Sequence, residues 1–293
     1  MRLSGSIVLA IALLTTSSMQ AVAQQSDNKR RQESPALIDL RPKFKVGEDV
    51  RFKMTLSSRT RVAGTASDES SQDMTLRFKP LTSDPEQGST LEMTYESLKI
   101  SMGDITFDSS KPADAGNPID GVLRSVVGLK MNVVMDANGN VTSVTSAQDN
   151  AMGGMLAEQF TGADVIKGLF GPITAKSLTT GRAKVGESWK TEDSMSGALG
   201  AMKMAMTHTL ESARSGKARI LTSGKVVLEA SATLPGGITI KDSKITGTTR
   251  WDLESGMLDQ MTQENIIEVE SADADGAQET KSHAMKVEVS RIR

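Results

Sequence analysis

The 293-residue chain predicts a mainly β (α+β) fold: two duplicated, curved antiparallel-sheet modules with one or two short helices packed on them. Three observations carry that expectation. Apolar and polar residues alternate along most of the sequence, as in half-buried strands. A Lys-Val-Gly-Glu quartet occurs twice, at Lys45–Glu48 and Lys184–Glu187, each time just before an alternating run. Two stretches alone carry the i, i+3, i+4 spacing of a helix face.

The chain opens on Met1-Arg2, an apolar run Ile7–Leu14 and the triplet Ala21-Val22-Ala23. A short positive start, an apolar segment and an A-x-A site describe a secretory signal peptide. Cleavage is expected between Ala23 and Gln24. The run is too short for a bilayer, which takes about 20 apolar residues, and no later run approaches that length. The chain has no cysteine, so acylation of a lipoprotein thiol is chemically impossible. Residues 24–35 are polar, charged and without period, which describes a flexible leader. The protein is therefore expected to be exported, periplasmic or extracellular, soluble and without a transmembrane segment.

The first module is expected over residues 36–150. Val50, Phe52, Met54 and Leu56 alternate with Arg51, Lys53, Thr55 and Ser57. Met74, Leu76 and Phe78 repeat the pattern, as do Leu91, Met93 and Tyr95. The phase then slips to Leu98, Ile100 and Met102, which predicts a β-bulge. Asn117 and Pro118 suit the N-cap and first position of a helix. Ile119, Val122, Leu123, Val126 and Val127 then share one helical face, ended by Gly128. Val133–Met135 lead into a turn at Asp136-Ala137-Asn138-Gly139.

Residues 151–182 are expected to be a helical connector. Val165, Ile166, Leu169 and Phe170 form an apolar stripe stopped by Gly171-Pro172, and Met152–Phe160 form a preceding helical turn. The second module is expected over 183–293. Met202, Met204, Met206, His208 and Leu210 fall on one face of a strand. Strands follow at Lys225–Leu234, Ile238–Ile240 and Ile245–Trp251. After a turn at Asp252–Gly256, Met257, Met261, Ile267 and Val269 share a parity. Met285, Val287 and Val289 close the chain. One apolar face and one polar face describe an antiparallel sheet with one side wet.

Each half runs from the Lys-Val-Gly-Glu quartet to an Asp-to-Gly hairpin in the same order, which favours a duplicated module. Asp accepts hydrogen bonds from its own turn backbone, and Gly takes the left-handed conformation. The export signal, the K-V-G-E start, the D-x-N-G hairpin of the first half and the G-E-S-W start of the second resemble a family of secreted bacterial proteins. That family is common in planctomycetes and known only as a domain of unknown function. The resemblance covers most of the mature chain, brings no assigned activity, and implies no catalytic residue.

Composition narrows the chemistry. Lys and Arg number 34 against 36 Asp and Glu, a net charge of −2. That balance gives no electrostatic reason to expect nucleic acid or an anionic membrane as partner. The absence of cysteine removes disulfides, thiol nucleophiles and thiolate metal sites together. No G-x-S-x-G elbow and no G-K-[ST] phosphate loop occurs. The 3% aromatic content argues against sugar platforms and base stacking. Both Asp136–Gly139 and Asp273–Gly276 resemble the start of a calcium loop. The twelfth positions, Ala147 and Ala284, lack the required Glu. Trp189 and Trp251, at corresponding ends of the two halves, read as core anchors.

The methionines are the remaining signal. Met202, Met204 and Met206 with His208 could suit Cu(I), but residues two apart on a strand lie roughly 6.6 Å apart, so core or pocket lining is the better reading. Flexible Met side chains suit an adaptable apolar pocket. The sequence thus points to non-catalytic binding of an apolar, lipid-like ligand, with Met202, Met204, Met206, His208, Met93 and Met102 as candidate lining residues and no cofactor. The alternative is a structural or protein-interaction module of the cell envelope with a closed core. No catalytic constellation supports an enzyme.

Overall fold

A computed structural model describes residues 36–62, 68–117, 119–146, 162–170, 173, 181–197, 200–228, 239–272 and 278–293. The expected signal peptide and leader, Met152–Phe160, Gly171-Pro172 and Asp273–Gly276 lie outside these residues.

The strands are β1 (Ile38–Asp39), β2 (Val50–Val62), β3 (Asp68–Asp84), β4 (Gly88–Met102), β5 (Ile105–Asp108), β6 (Lys130–Met135), β7 (Val141–Ser146), β8 (Arg182–Ala183), β9 (Ser188–Gly197), β10 (Gly200–Arg214), β11 (Lys217–Leu228), β12 (Thr239–Asp252), β13 (Met257–Ala272) and β14 (Gln278–Ile292). Helix α1 (Asp120–Val126) precedes β6, and α2 (Ala163–Phe170) follows β7. The fold is mainly β and antiparallel. Twelve strands form one open sheet in the order β7-β6-β4-β3-β2-β14-β13-β12-β11-β10-β9, with β5 on β4. The short strands β1 and β8 pair separately.

The two sequence halves are joined edge to edge. The last strand, β14, pairs with β2 from Lys281 beside Val62 to Ile292 beside Arg51. Read from β9, the sheet is one meander through β14, continued by β2 to β7. Each half starts with the same turn. The Glu48 N–H donates to Lys45 O at 3.1 Å, and the Glu187 N–H to Lys184 O at 2.9 Å. Gly47 and Gly186 hold φ of +90° and +87°, the third-position requirement of a type II turn. The Asp-to-Gly hairpins also share a design. Asp136 Oδ1 accepts the N–H groups of Asn138 and Asn140. Asp252 Oδ1 accepts those of Glu254 and Ser255. Both quartets and both hairpins sit at one end of the sheet, here called proximal.

Alternation decides the faces. On the helix-bearing face Phe52, Leu76, Phe78, Leu91, Met93, Tyr95, Met131 and Val133 are buried. Leu123 and Val126 of α1, and Ile166 and Phe170 of α2, join this main core. Phe170 meets Phe78 edge to face at 4.9 Å, a favoured aromatic geometry. The opposite face carries ion pairs, among them Arg59–Glu69 and Lys130–Glu92. The phase slip in β4 is a bulge: Thr75 faces Ser97 but Leu76 faces Tyr95, so Glu96 is the extra residue. Its carboxylate takes both Arg51 Nε bonds at 2.9 and 3.0 Å.

Several local expectations change. Helix α1 starts later than Asn117-Pro118 suggests, with Ile119 as N-cap and no side-chain cap. Asn117 Oδ1 instead bonds the Ile119 N–H two residues on, a turn that competes with capping. Gly128, at φ +85°, follows the helix end as expected. In β13 a bulge between the Trp251 and Arg250 pairings places Leu258 opposite Trp251 and skips Asp259. Met257 and Leu258 are therefore both buried, which strict alternation from Met257 did not provide. The strand expected from Lys225 begins at Lys217, because the turn at Ser215-Gly216 joins it directly to β10.

One glycine fixes strand spacing. A Cβ on Gly224 would lie 2.4 Å from Ala205 O and 3.0 Å from Met206 Cα. Gly224→Val therefore forces β10 and β11 apart, at an expected cost of about 1–3 kcal/mol. Urea unfolding should show a lower midpoint with an unchanged slope.

Candidate ligand-binding face

The apolar face divides into two clusters. The main core occupies the proximal part. A second, distal cluster contains Met206, Val226, Ile245, Ile267 and Val269, all buried, with Met204 and Ile240 packed against it. Register places these on one face. Met204 faces Val226 and Met206 faces Gly224 across β10–β11. Gly224 faces Ile245 across β11–β12. Ile240 faces Val269, and Ser243 faces Ile267, across β12–β13. The glycine between Met206 and Ile245 leaves those two larger side chains adjacent on the sheet surface.

A polar belt separates the clusters. His208 Nε2 hydrogen-bonds Thr191 Oγ1 at 2.9 Å, and its Nδ1 bonds Thr222 Oγ1 at 2.9 Å. The Trp189 ring stacks on the imidazole at 5.6 Å. A neutral imidazole has one donor and one acceptor nitrogen, and threonine hydroxyls rotate to serve both. The belt continues on β13, where Gln263 Nε2 donates to Asn265 Oδ1 at 3.1 Å and Asn265 is buried. His283, paired with Ile267 in the ladder, borders the distal cluster. Its Nδ1 meets Thr60 Oγ1 at 2.9 Å. Burial, aided by Lys281, pushes the His283 imidazole below its usual range, which favours its neutral form.

The candidate residues therefore separate. Met204 and Met206 belong to the distal cluster. Met202 lies on the same strand, opposite Leu228, and its side chain lies outside the described residues. His208 is in the belt, with both ring nitrogens engaged. Met93 lies in the main core, fully buried between Phe78 and Met131. Met102 ends β4, facing Ser70 and Ile105, and is 54% exposed. Period-two counting finds the face but not the position along it, which strand pairing decides. The belt threonines, Thr191 and Thr222, carried no sequence signal beyond their parity. Trp251 is a core anchor with no exposed surface, whereas Trp189 is only half buried.

A separate cleft of about 200 Å³ opens at the proximal end between the 39–44 segment and the β3–β4 and β6–β7 turns. Its walls include Asp39, Arg41, Asp84 and Asp136. These charges are spent locally. Arg41 binds Asp39 through Nε and Nη2, Asp84 Oδ1 accepts the Glu86 and Gln87 N–H groups, and Asp136 holds its own turn. Among the described residues no group of three or more acidic or histidine side chains is placed to hold a metal ion. Among them, too, no helix is long and apolar enough to cross a membrane.

The structure is similar to lipovitellin, in a structure titled for lipid–protein interactions, with a TM-score of 0.54 and 11% identity. The match covers 85% of this chain and 25% of that one, so this chain spans about a quarter of the lipovitellin chain. At that identity the likeness is one of fold. By sequence the chain belongs to DUF6263, a family of unknown function whose model matches residues 86–258. No curated protein matches it.

Proposed function

We propose that this is an exported, non-catalytic protein that binds the acyl part of a lipid-like ligand at the distal cluster. The observation that carries the reading is a second apolar cluster, made only of strand residues among those described, set apart from the main core by a hydrogen-bonded polar belt. Two of the cluster's residues are methionines, whose unbranched thioethers adapt to chains of different shape. The lipovitellin-like fold agrees with the reading.

Titration of the purified protein with a naturally fluorescent polyene fatty acid tests it. Saturable binding is expected, weakened about tenfold or more by Met204→Glu, which puts a charge at the site. Met93→Leu, in the main core, leaves affinity unchanged. Absence of saturable binding, or equal affinity in Met204→Glu, refutes the reading and leaves an envelope scaffold with a closed core.

A further inference from the structure

We propose that the ligand reaches the distal cluster by parting the seam between β11 and β12, and that it is a single-chain fatty acid whose carboxylate stays at the rim beside Lys244. This rests on the acyl-binding reading above and names the ligand class and its route.

The seam is the weak line of the distal sheet. The β11–β12 ladder ends at Gly224 opposite Ile245, although β11 runs on to Leu228 and β12 starts at Thr239. The flanking ladders do not stop there. β10 stays paired with β11 out to Met202 opposite Leu228, and β12 with β13 out to Thr239 opposite Glu270. Beyond Ile245 the two strands are therefore each held by their outer neighbour. A register shift between Ile240 and Asp242 loosens β12 further on that side.

Beside the exposed Lys225–Asp242 pair at 4.0 Å, one hydrogen-bonding side chain, Ser243, spans the gap among the described residues. The Val226 N–H donates to Ser243 Oγ at 2.9 Å, and the Ser243 hydroxyl donates to Val226 O at 2.9 Å. A single rotatable hydroxyl thus replaces a run of backbone ladder bonds. When it lets go, the freed groups are the N–H and C=O of Val226 and one hydroxyl, all of which water can satisfy. The apolar cluster straddles this line, with Met204, Met206 and Val226 on one bank and Ile240, Ile245 and Ile267 on the other. Met206, Val226, Ile245 and Ile267 are buried, and parting the seam separates the two banks on which they lie. An inserted hydrocarbon chain covers the apolar surface that opening exposes to water.

The rim defines the head group. On the outer side of the seam Val227 is 44% exposed and flanked by Lys225. Lys225 lies 4.0 Å from the Asp242 carboxylate, and Lys241 is paired with Glu270 at 2.7 Å. Lys244 is exposed and forms no ion pair among the described residues. A carboxylate arriving there gains a cation without displacing an acid.

The native chain has no cysteine, so introduced thiols report alone. Val226→Cys, buried on one bank, should react with a maleimide in the folded protein far faster than Val133→Cys in the main core. Equal, slow reaction of the two overturns the port, whether or not fatty acid binds. Lys225→Cys with Lys244→Cys, the outward neighbours of the last ladder pair, allows the seam to be bridged by a disulfide or a short bis-maleimide. Bridged protein should take up the fluorescent fatty acid at least about tenfold more slowly than the same variant unbridged. Equal uptake rates overturn the port while leaving acyl binding intact. Lys244→Gln should weaken binding of the fatty acid but not of its methyl ester. An equal effect on both overturns the head-group assignment.

Discussion

Trp251→Ala is expected to lower stability by about 3–5 kcal/mol, the range for deleting a fully buried tryptophan. Trp251 has no exposed surface and lies at the proximal end of β12. It faces Ala218 on β11 and Leu258 on β13. The small Ala218 makes room for the indole, and no neighbour of similar bulk in those pairings is placed to refill the cavity. Among the described residues the indole Nε1 has no hydrogen-bond partner, an unusual state for a buried donor. Trp251→Phe removes that unpaired donor and keeps most of the ring, so it should cost well under half as much as Trp251→Ala. Chemical unfolding followed by circular dichroism measures both. A Phe variant as unstable as the Ala variant would mean that the indole's second ring, not simple cavity formation, governs the site.

The strands were legible because a half-wet sheet writes itself as alternation. Val50–Leu56, Met74–Phe78 and Met204–Leu210 each occupy the strands and faces that the pattern predicts. The bulge at Glu96 was legible as a phase slip, since an extra residue inverts every later side chain. The two Lys-Val-Gly-Glu turns and the Asp hairpins were legible because their chemistry is local. Pairing across the chain was not. Nothing in Val287 or Leu56 announces that β14 closes on β2, because edge and central strands of this sheet share one composition. For the same reason Met93 and Met206 look alike in sequence yet lie in different clusters. The break at Gly224 was hidden too, since nothing in the sequence announces that the Ser243 hydroxyl bridges Val226.

Asp252→Ala is expected to cost about 3 kcal/mol, because it strands the Arg291 guanidinium, which is only 14% exposed, and removes the acceptor of the β12–β13 turn. The carboxylate takes Lys217 Nζ at 2.8 Å and Arg291 Nη2 at 3.0 Å, while Oδ1 holds the β12–β13 turn. Arg291 also donates to Ser255 Oγ at 2.7 Å, so one residue ties β11, the hairpin and the last strand. Burial acts to raise the Asp252 pKa. The Lys217 and Ser255 hydrogen bonds and the Lys217 and Arg291 charges outweigh it, holding the carboxyl well below the usual carboxylate range. Its folded pKa thus lies below the unfolded value near 3.8. The stability it contributes is complete above that pH and is lost as pH falls through and below it. Asp252→Asn keeps the turn acceptor and removes the charge, so at pH 7 it should cost about half as much as the alanine variant. It should also flatten the acid limb of the stability curve between pH 4 and 2. Arg291→Met in the Asp252→Asn background should recover part of the loss, since a stranded guanidinium goes with it. Urea midpoints measured across that pH range decide the matter: an acid limb as steep in Asp252→Asn as in the parent would place the titrating group elsewhere, with Asp259 beside Arg293 at 2.7 Å as the next group to replace.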